Sequence, residues 1–318
     1  MLTAENYNAK RAIYFTKTYN YASRWYGKGA TMLGLTGEIT NGKSMGMEAF
    51  TNICNGLMPD GNKKLGRNSK RAAIDCTFSV PKSVSLSALI GGDERLVVAH
   101  RIAVEKTLSF IEKKCAQTRV RVGKNRPRVQ TGNLIVAQFD HLESRELDPN
   151  LHTHALVMNL TQTENGKWYS LHNGRIYRNK KSLGMLYHSY LKREVEKLGY
   201  RTEAQRHGLF EITGYRREDL LKFSKRRQQI VFEVGSNASW KGREEAWDIT
   251  RKAKQYLPPQ ELKEMWKLQA QELGIVPVVA CDLRERVVKV VDSLDEIKEV
   301  REQETINQEF STRKGLRA

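Results

Sequence analysis

The spacing of apolar and polar residues predicts alternating strands and helices over the first two thirds of the chain. Residues 72–79 alternate apolar and polar side chains, as a half-buried strand does. Leucine, alanine and isoleucine recur at helical spacing across 94–114. The same patterns predict helices at 45–57 and 182–198, strands at 133–141, 152–161 and 210–212, and two short strands around a turn within 118–130.

The last third has a different pattern. From about Glu218 onward the sequence is helical and rich in charges of both signs, and Pro258-Pro259 is expected to break it. We therefore predict an α/β (α+β) core over 1–215, followed by a helical C-terminal part over 216–318.

Composition excludes several protein classes. The chain of 318 residues has 39% hydrophobic residues, and no apolar run approaches the roughly 20 residues that a spanning helix needs. The first residues contain no apolar signal segment, so we expect a cytoplasmic protein without membrane insertion. Four scattered cysteines, none in C-x-x-C spacing, argue against a disulfide framework and a zinc ribbon.

Charge points to a polyanion as partner. The 54 Lys and Arg residues against 36 Asp and Glu give a net charge of +18. Residues 113–139 contain no acidic residue, and neither does the shorter basic run Lys63 to Arg71. A solvated basic surface explains either run alone, but the two together favour nucleic acid. An anionic membrane is less favoured, since neither run lies on an amphipathic helix.

Three histidines fall on two neighbouring predicted strands. His152 and His154 point to the same face of their strand because they are two residues apart. His141 ends the strand before, and strand pairing would bring it beside them. Three neutral imidazoles can hold a divalent cation and leave positions open for a substrate. The alternative is ordinary hydrogen-bonded residues, which we expect for the other four histidines, His100, His172, His188 and His207.

Asp75 lies in the middle of the strand 72–79, on the face that also carries Thr77 and Ser79. A buried carboxylate needs a partner, because burying it alone is costly. A metal-binding histidine or a tyrosine hydroxyl would serve, and an ordinary ion pair to a lysine or arginine is the alternative.

Five of the twelve tyrosines lie in the first thirty residues. A tyrosine can act as a nucleophile where a base and a cation are near, although its free pKa of about 10 keeps an unassisted phenol protonated. A divalent ion can polarise a phosphodiester for in-line attack by a phenolate, an ester exchange that is reversible and needs no nucleotide. Core packing and base stacking are the alternatives.

Residues 139–160 and 75–89 together strongly resemble the MobF (TraI-type) conjugative relaxases of the HUH endonuclease superfamily. Four shorter stretches also match: Gly27-Lys28-Gly29-Ala30, Leu33-Gly34-Leu35-x-Gly37, Thr131-Gly132-Asn133-Leu134 and Lys197-Leu198-Gly199-Tyr200. The likeness covers roughly residues 1–275.

The resemblance implies a plasmid-encoded bacterial relaxase that nicks one DNA strand at an origin of transfer and becomes joined to the 5′ phosphate through tyrosine. It implies a central antiparallel sheet flanked by helices, with a divalent metal, Mg²⁺ or Mn²⁺, held on one face by His141, His152 and His154. It makes Asp75 either the general base or the group that orients a ligand histidine. Tyr14 takes the place of the first nucleophile.

Two departures from the family pattern stand out. Where family members often have two tyrosine pairs, this chain has Tyr14-Phe15 and Tyr19-Asn20-Tyr21. Spacing favours Tyr21 over Tyr19 as the second nucleophile, which the family uses to end transfer. Family members also usually continue into a helicase, whereas this sequence stops at Ala318.

A relaxase holds single-stranded DNA and usually a DNA hairpin beside the nick. The hairpin 119–128 is our candidate for phosphate contacts and groove insertion, and the basic C-terminal residues near 216–227 are expected to close over the strand. The DNA-binding candidates are Arg119, Arg121, Lys124, Arg126, Arg128 and Lys82. The family also implies accessory relaxosome proteins, a type IV secretion coupling protein and passage into the recipient cell with the DNA. One active site needs one chain, so we expect a monomer.

Three other functions are weighed against this one. A rolling-circle replication initiator would use the same chemistry at a different origin. A nucleic-acid-binding module with a structural metal would have no activity. Gly37 to Ser44 satisfies the G-x-x-x-x-G-K-[ST] pattern of nucleotide-binding loops, but no buried strand precedes it and helix capping explains the same residues.

Overall fold

The computed structural model describes residues 2–16, 20–39, 44–66, 69–235, 242 and 257–280. Eleven strands are formed by these residues: β1 Leu2–Tyr7, β2 Ala22–Tyr26, β3 Ala73–Ser79, β4 Gln117–Arg119, β5 Arg128–Gln130, β6 Val136–Glu143, β7 Pro149–Met158, β8 Thr161–Gln162, β9 Trp168–Tyr169, β10 Thr202–Ala204 and β11 Phe210–Ile212.

Ten α-helices are described in the same ranges, together with 3₁₀ turns at Tyr14–Thr16 and Arg206–Gly208. The helices are α1 Ala9–Ile13, α2 Lys28–Met32, α3 Ser44–Cys54, α4 Lys82–Leu89, α5 Arg95–Cys115, α6 Gly174–Arg178, α7 Lys180–Lys197, α8 Arg217–Lys222, α9 Lys225–Val234 and α10 Pro259–Glu272. Within the described part of the chain, every helix is too short or too polar to cross a lipid bilayer.

The central sheet has five strands in the order β1-β3-β7-β6-β2. Every neighbouring pair is antiparallel. Its two faces bury different sets of residues because side chains alternate along each strand. The predicted fold class, a central antiparallel sheet flanked by helices, is confirmed.

One face of the sheet packs against α5 and α7. Ile74, Cys76 and Phe78 of β3 join this core cluster, as their alternation predicts, and so do Ala155 and Val157 of β7. The other face packs against α1 and α3 through Phe15, Phe50 and Phe139. This second face carries the histidines.

Most predicted elements lie within a few residues of their observed positions, and the strands of the central sheet differ in three details. The first two strands of the chain, β1 and β2, were not predicted from the sequence. β6 does not end at His141 but continues to Glu143 past a register shift, and β7 begins at Pro149, inside the expected loop. The predicted break at Pro258-Pro259 is confirmed, because residues 257–258 are not helical and α10 starts at Pro259.

Candidate metal centre and nucleophile turn

Strand pairing brings the three predicted histidines together. His141 of β6 lies directly opposite His152 of β7 in the antiparallel register, and His154 follows on the same face. The three ring centroids are 5.1–5.2 Å apart. One ligand atom from each ring lies within 4.8 Å of those of the other two. Three imidazole nitrogens at this separation fit a single divalent cation.

Each of these rings is oriented by a hydrogen bond at one nitrogen. Nε2 of His141 lies 2.8 Å from Oδ1 of Asn20, and Nδ1 of His152 lies 2.8 Å from the carbonyl oxygen of Asn150. Nδ1 of His154 lies 2.7 Å from Oδ2 of Asp75. A neutral imidazole that donates through one nitrogen carries its lone pair on the other. Metal-binding histidines generally make such a hydrogen bond through the nitrogen that does not bind the ion, so these three bonds strengthen the fit to a divalent ion.

Asp75 is buried behind His154, on the predicted face of β3. Its carboxylate accepts the His154 bond and a longer one, 3.3 Å, from the Thr77 hydroxyl. Burial alone would raise the pKa of Asp75, but the charge and hydrogen bond of His154, with Tyr7 and Thr77, outweigh it, so the pKa is lowered. An ionised carboxylate here holds the His154 ring in one orientation and one tautomer.

Tyr14 lies in the 3₁₀ turn that follows α1, and its side chain is 50% exposed. The next residue, Phe15, is buried against the histidine face: its ring centroid is 4.9 Å from that of His154 and 6.0 Å from that of His141. The turn that carries the predicted nucleophile is therefore anchored on the metal centre by its neighbour.

The other two tyrosine candidates are placed differently. Tyr19 lies outside the described residues. The ring of Tyr21 packs against the core cluster on the α5 side of the sheet, 5.9 Å from the guanidinium carbon of Arg101. Tyr21 is thus not brought to the histidines in this conformation, and its use as a second nucleophile stays a prediction.

The basic hairpin is an exposed arm. All residues from 121 to 130 are exposed, and no ion pair joins its five predicted DNA-binding cations to a carboxylate of the described chain. β4 ends at Arg119, so Arg121 lies in the loop and not on a strand face; its Nε donates to the Gly123 carbonyl. Unpaired cations on a protruding arm suit phosphate contacts.

Other predicted cations are engaged within the protein. Lys82 is half-buried and donates to the Pro149 carbonyl at 2.6 Å; burial lowers its pKa to about 8. Arg71, the last residue of the short basic run, donates to the Asn159 side chain and to the Leu171 carbonyl. These contacts occupy both cations within the protein, and the role of Lys82 in DNA binding stays a prediction. Arg216 pairs with Asp219 at 2.8 Å.

The nucleotide-binding pattern receives no support from its surroundings. Residues 40–43, its centre, lie outside the described chain. The described residues just before it, 33–36, are a turn at 33–34 followed by irregular backbone, and none of them is in a strand. A phosphate-cradling loop would follow a buried strand.

Asn20 and Asn150 are the site residues that sequence reasoning missed. Asn20 reaches His141 only through the pairing of β2 with β6. Asn150 is two residues before His152 on the same strand, and its contribution is a backbone carbonyl, which no side-chain pattern signals.

Comparison with known proteins gives a consistent answer. The sequence profile of the TrwC relaxase family matches residues 2–273. The multifunctional conjugation protein TraI of Escherichia coli K12 is 40% identical over 281 residues, which cover 82% of this chain and 15% of TraI. A second Escherichia coli TraI is 38% identical over the same length. The chain thus spans about 15% of the length of these curated relatives.

Solved structures agree with the sequence comparison. The conjugative relaxase TrwC in complex with oriT DNA, copper-bound, has a TM-score of 0.80 at 32% identity, covering 87% of this chain and 100% of that one. TrwC complexed with a 27-mer DNA comprising the recognition hairpin and the cleavage site has a TM-score of 0.79 at 34% identity. The resemblance seen in the sequence motifs is confirmed, and this chain belongs to the TrwC relaxase family.

Proposed function

We propose that this chain is a conjugative relaxase that nicks one DNA strand at a plasmid origin of transfer. The observation that carries the proposal is the three-histidine cluster with Asp75 behind it and the Tyr14 turn anchored on it through Phe15. Its relatives support the same activity: TraI is a conjugation protein, and TrwC has been solved with oriT DNA and with a bound metal.

The reaction exchanges one phosphate ester for another. The Tyr14 hydroxyl oxygen forms a bond to the phosphorus as the bond from phosphorus to the 3′ oxygen breaks. The exposed phenol gives its proton to water, and the 3′ oxygen takes one up, so a free 3′ hydroxyl and a 5′ phosphotyrosine result. The bound cation, Mg²⁺ or Mn²⁺, would polarise the phosphate. Attack by the 3′ hydroxyl reverses the reaction and rejoins the strand.

The residues of the chain divide this work. His141, His152 and His154 would hold the cation, and Asp75, which already accepts a hydrogen bond from His154, takes the orienting role in place of the general base. The exposed arm, 119–128, takes the phosphates of a DNA hairpin, and the C-terminal part, 216–318, closes over the single strand as one functional unit with the core, 1–215. Tyr21 or Tyr19 ends transfer.

The setting follows from the same family. We infer a cytoplasmic, monomeric protein that works with accessory relaxosome proteins and a type IV secretion coupling protein, and that passes into the recipient cell with its DNA. TrwC bound to a recognition hairpin supports the DNA substrate.

The test is incubation with an oligonucleotide spanning the cognate origin, with Mg²⁺ or Mn²⁺, followed by a denaturing gel. We expect a protein–DNA adduct at a 5′ end, lost with chelator and in Tyr14→Phe. The matched control Tyr190→Phe alters a phenol on α7 and should leave the adduct intact. Nicking retained by Tyr14→Phe but lost in Tyr21→Phe would reverse the order of nucleophiles. Cleavage only at a replication origin would identify an initiator.

A further inference from the structure

A buried polar network lies directly behind the metal centre, on the opposite face of the same strands. Thr153 is between His152 and His154 in sequence, so its side chain points away from them, into the α5 side of the sheet. There it pairs in register with Asp140, the neighbour of His141. Both residues are fully buried.

The hydrogen bonds of this network have a single consistent direction. The Thr153 hydroxyl is 2.6 Å from Oδ1 of Asp140, an acceptor, so it donates there. It must then accept from Nε2 of His100 at 2.8 Å, which leaves Nδ1 of His100 to accept from the Tyr187 hydroxyl, also at 2.8 Å. We call this series of hydrogen-bonded side chains, from Tyr187 through His100 and Thr153 to Asp140, the buried relay.

The charge at the end of the relay is balanced. Oδ2 of Asp140 lies 2.8 Å from Nη1 of Arg24 and 2.9 Å from Nε of Arg101. The relay and the two arginines therefore tie together α7, α5, β7, β6 and β2, and the side-chain polar groups of Tyr187, His100, Thr153 and Asp140 are all paired. Fully satisfied networks in a low-dielectric core fix one arrangement, because every alternative leaves a group unpaired.

We propose that the buried relay is a positioning device for the metal centre, with Thr153 as its central positioning residue. The relay joins β6 to β7 through side chains that are each one residue away from a histidine. It therefore fixes the distance between the two strands, and the direction of their side chains, where the histidines lie. This proposal rests on the metal site of the proposed function but not on the identity of the nucleophile.

The experiment is a titration of the full chain with Co²⁺, followed by visible absorption, which reports affinity and ligand geometry together. Thr153→Val keeps the side-chain shape and removes the hydroxyl. We expect it to weaken Co²⁺ binding by about tenfold or more and to alter the absorption bands, because the histidines are then held less firmly in their binding positions. Thr153→Ser, which restores the hydroxyl, should return both to those of the parent chain.

Thr107→Val is the matched control. Thr107 is equally buried and its hydroxyl donates to the Ala103 carbonyl within α5, so the same chemical change is made away from the strands. It should lower thermal stability and leave Co²⁺ affinity and spectrum unchanged. If Thr153→Val fails to fold, Tyr187→Phe removes the far donor of the relay with its ring retained, and should weaken Co²⁺ binding in the same direction.

Two results overturn the proposal, and they differ. If the parent chain binds Co²⁺ and Thr153→Val or Tyr187→Phe binds it with parental affinity and spectrum, the relay has no positioning role although the proposed function stands. If the parent chain binds no Co²⁺, the proposed metal site fails, and the relay's role fails with it.

Discussion

Phe15 occupies the position at which the family pattern often has the second tyrosine of a pair. Its ring is 6% exposed, lies at 11° to the plane of the His141 ring and stacks on Phe139 at 5.1 Å. A hydroxyl buried there would need its own partner. The phenylalanine therefore packs against the histidines of the metal centre. Tyr14, which is half exposed, carries the one hydroxyl of this pair, and that hydroxyl is open to a substrate.

The residues expected to bind the metal, and Asp75 beside them, could be predicted one by one from the sequence. The H-x-H spacing put His152 and His154 on one face, and alternation along β3 put Asp75 on the face opposite to Ile74, Cys76 and Phe78. The residues that orient the histidines through long-range contacts, such as Asn20, were not predictable. Asn20, which orients His141, is 121 residues from it in sequence. Such contacts follow from strand order, which local patterns do not contain.

His188 differs from the relay histidine, although the sequence suggests an ordinary structural role for both. It is 2% exposed on α7, and neither ring nitrogen has a hydrogen-bond partner among the described residues. Its ring packs against Tyr187 and Phe210. Burial lowers the pKa of His188 to about 3, so it stays neutral in the folded chain at any ordinary pH.

This makes the protein sensitive to acid. In the unfolded chain His188 takes up a proton below about pH 6.5, while in the folded chain it does so only near pH 3, so stability falls as the pH drops between these values. At pH 5 the loss is about 2 kcal/mol relative to pH 8. His188→Phe keeps the aromatic packing and removes the proton site.

We expect the free energy of unfolding of His188→Phe, measured by urea titration, to fall less than that of the parent between pH 8 and pH 5, by about 2 kcal/mol. His207→Asn is the control, because His207 is exposed and asparagine tolerates its left-handed backbone, φ 62°. Equal pH dependence in the parent and His188→Phe would show that His188 is protonated or hydrated when folded.

At the scale of elements, the two strands of the central sheet that the sequence failed to predict are its two edges. β1 contains Glu5 and Asn6, and β2 begins with Ala22, residues with low strand preference. Their strand structure comes from pairing with β3 and β6, whose own patterns were clear. Because these edge segments become strands by pairing with a neighbour, the strand propensity of their own residues predicts them poorly.

The glycine motif at residues 27–30, part of the family resemblance, has a structural cause. A Cβ on Gly27 or Gly29 would collide with the backbone carbonyl of Leu134, and Gly27 has a φ of 104° that side chains disfavour. The buried Glu112 carboxylate then accepts from the backbone N–H groups of Lys28 and Leu134. This motif holds α2 beside the sheet, so its role is structural and not catalytic.

The exposed arm allows a prediction about DNA binding at the scale of one element. Lys124→Gln combined with Arg126→Gln removes two unpaired charges from its loop. If both contact phosphates, the slope of log K against log salt for a hairpin oligonucleotide should become shallower by about 1.4 to 1.8, because each neutralised phosphate contributes about 0.7 to 0.9. Fluorescence anisotropy at several salt concentrations measures it.

The matched control for the arm removes two charges elsewhere. Lys192→Gln with Arg193→Gln lies on α7 and lowers the net charge by the same amount. It should leave the salt slope nearly unchanged, since distant charges contribute only through the screened field. An equal loss of slope in both double variants would mean that the arm acts through net charge and makes no phosphate contact.

For the molecule as a whole, the described C-terminal residues are built into the core. Trp266 of α10 is fully buried and its indole N–H donates at 2.6 Å to the carbonyl of Leu147, in the loop that joins β6 to β7. Farther along, the Val278 N–H donates to the Tyr215 hydroxyl, and Arg95 donates to the Ala280 carbonyl. The loop between the two histidine strands is thus held from the C-terminal side.

This connection predicts how the chain unfolds. Leu262, Trp266 and Ala270 belong to the same apolar cluster as the α5 side of the sheet, so the two parts should melt together in a single calorimetric transition. Trp266→Ala should destabilise that transition by about 3–5 kcal/mol, while Leu268→Ala, at a position 60% exposed, should change it by less than about 0.5 kcal/mol. An early, separate transition in Trp266→Ala, with the metal-binding core still folded, would mean that the C-terminal part is an independent domain. In that case the hydrogen bond from Trp266 to Leu147 in the β6–β7 loop would not be needed to hold the histidine strands in place.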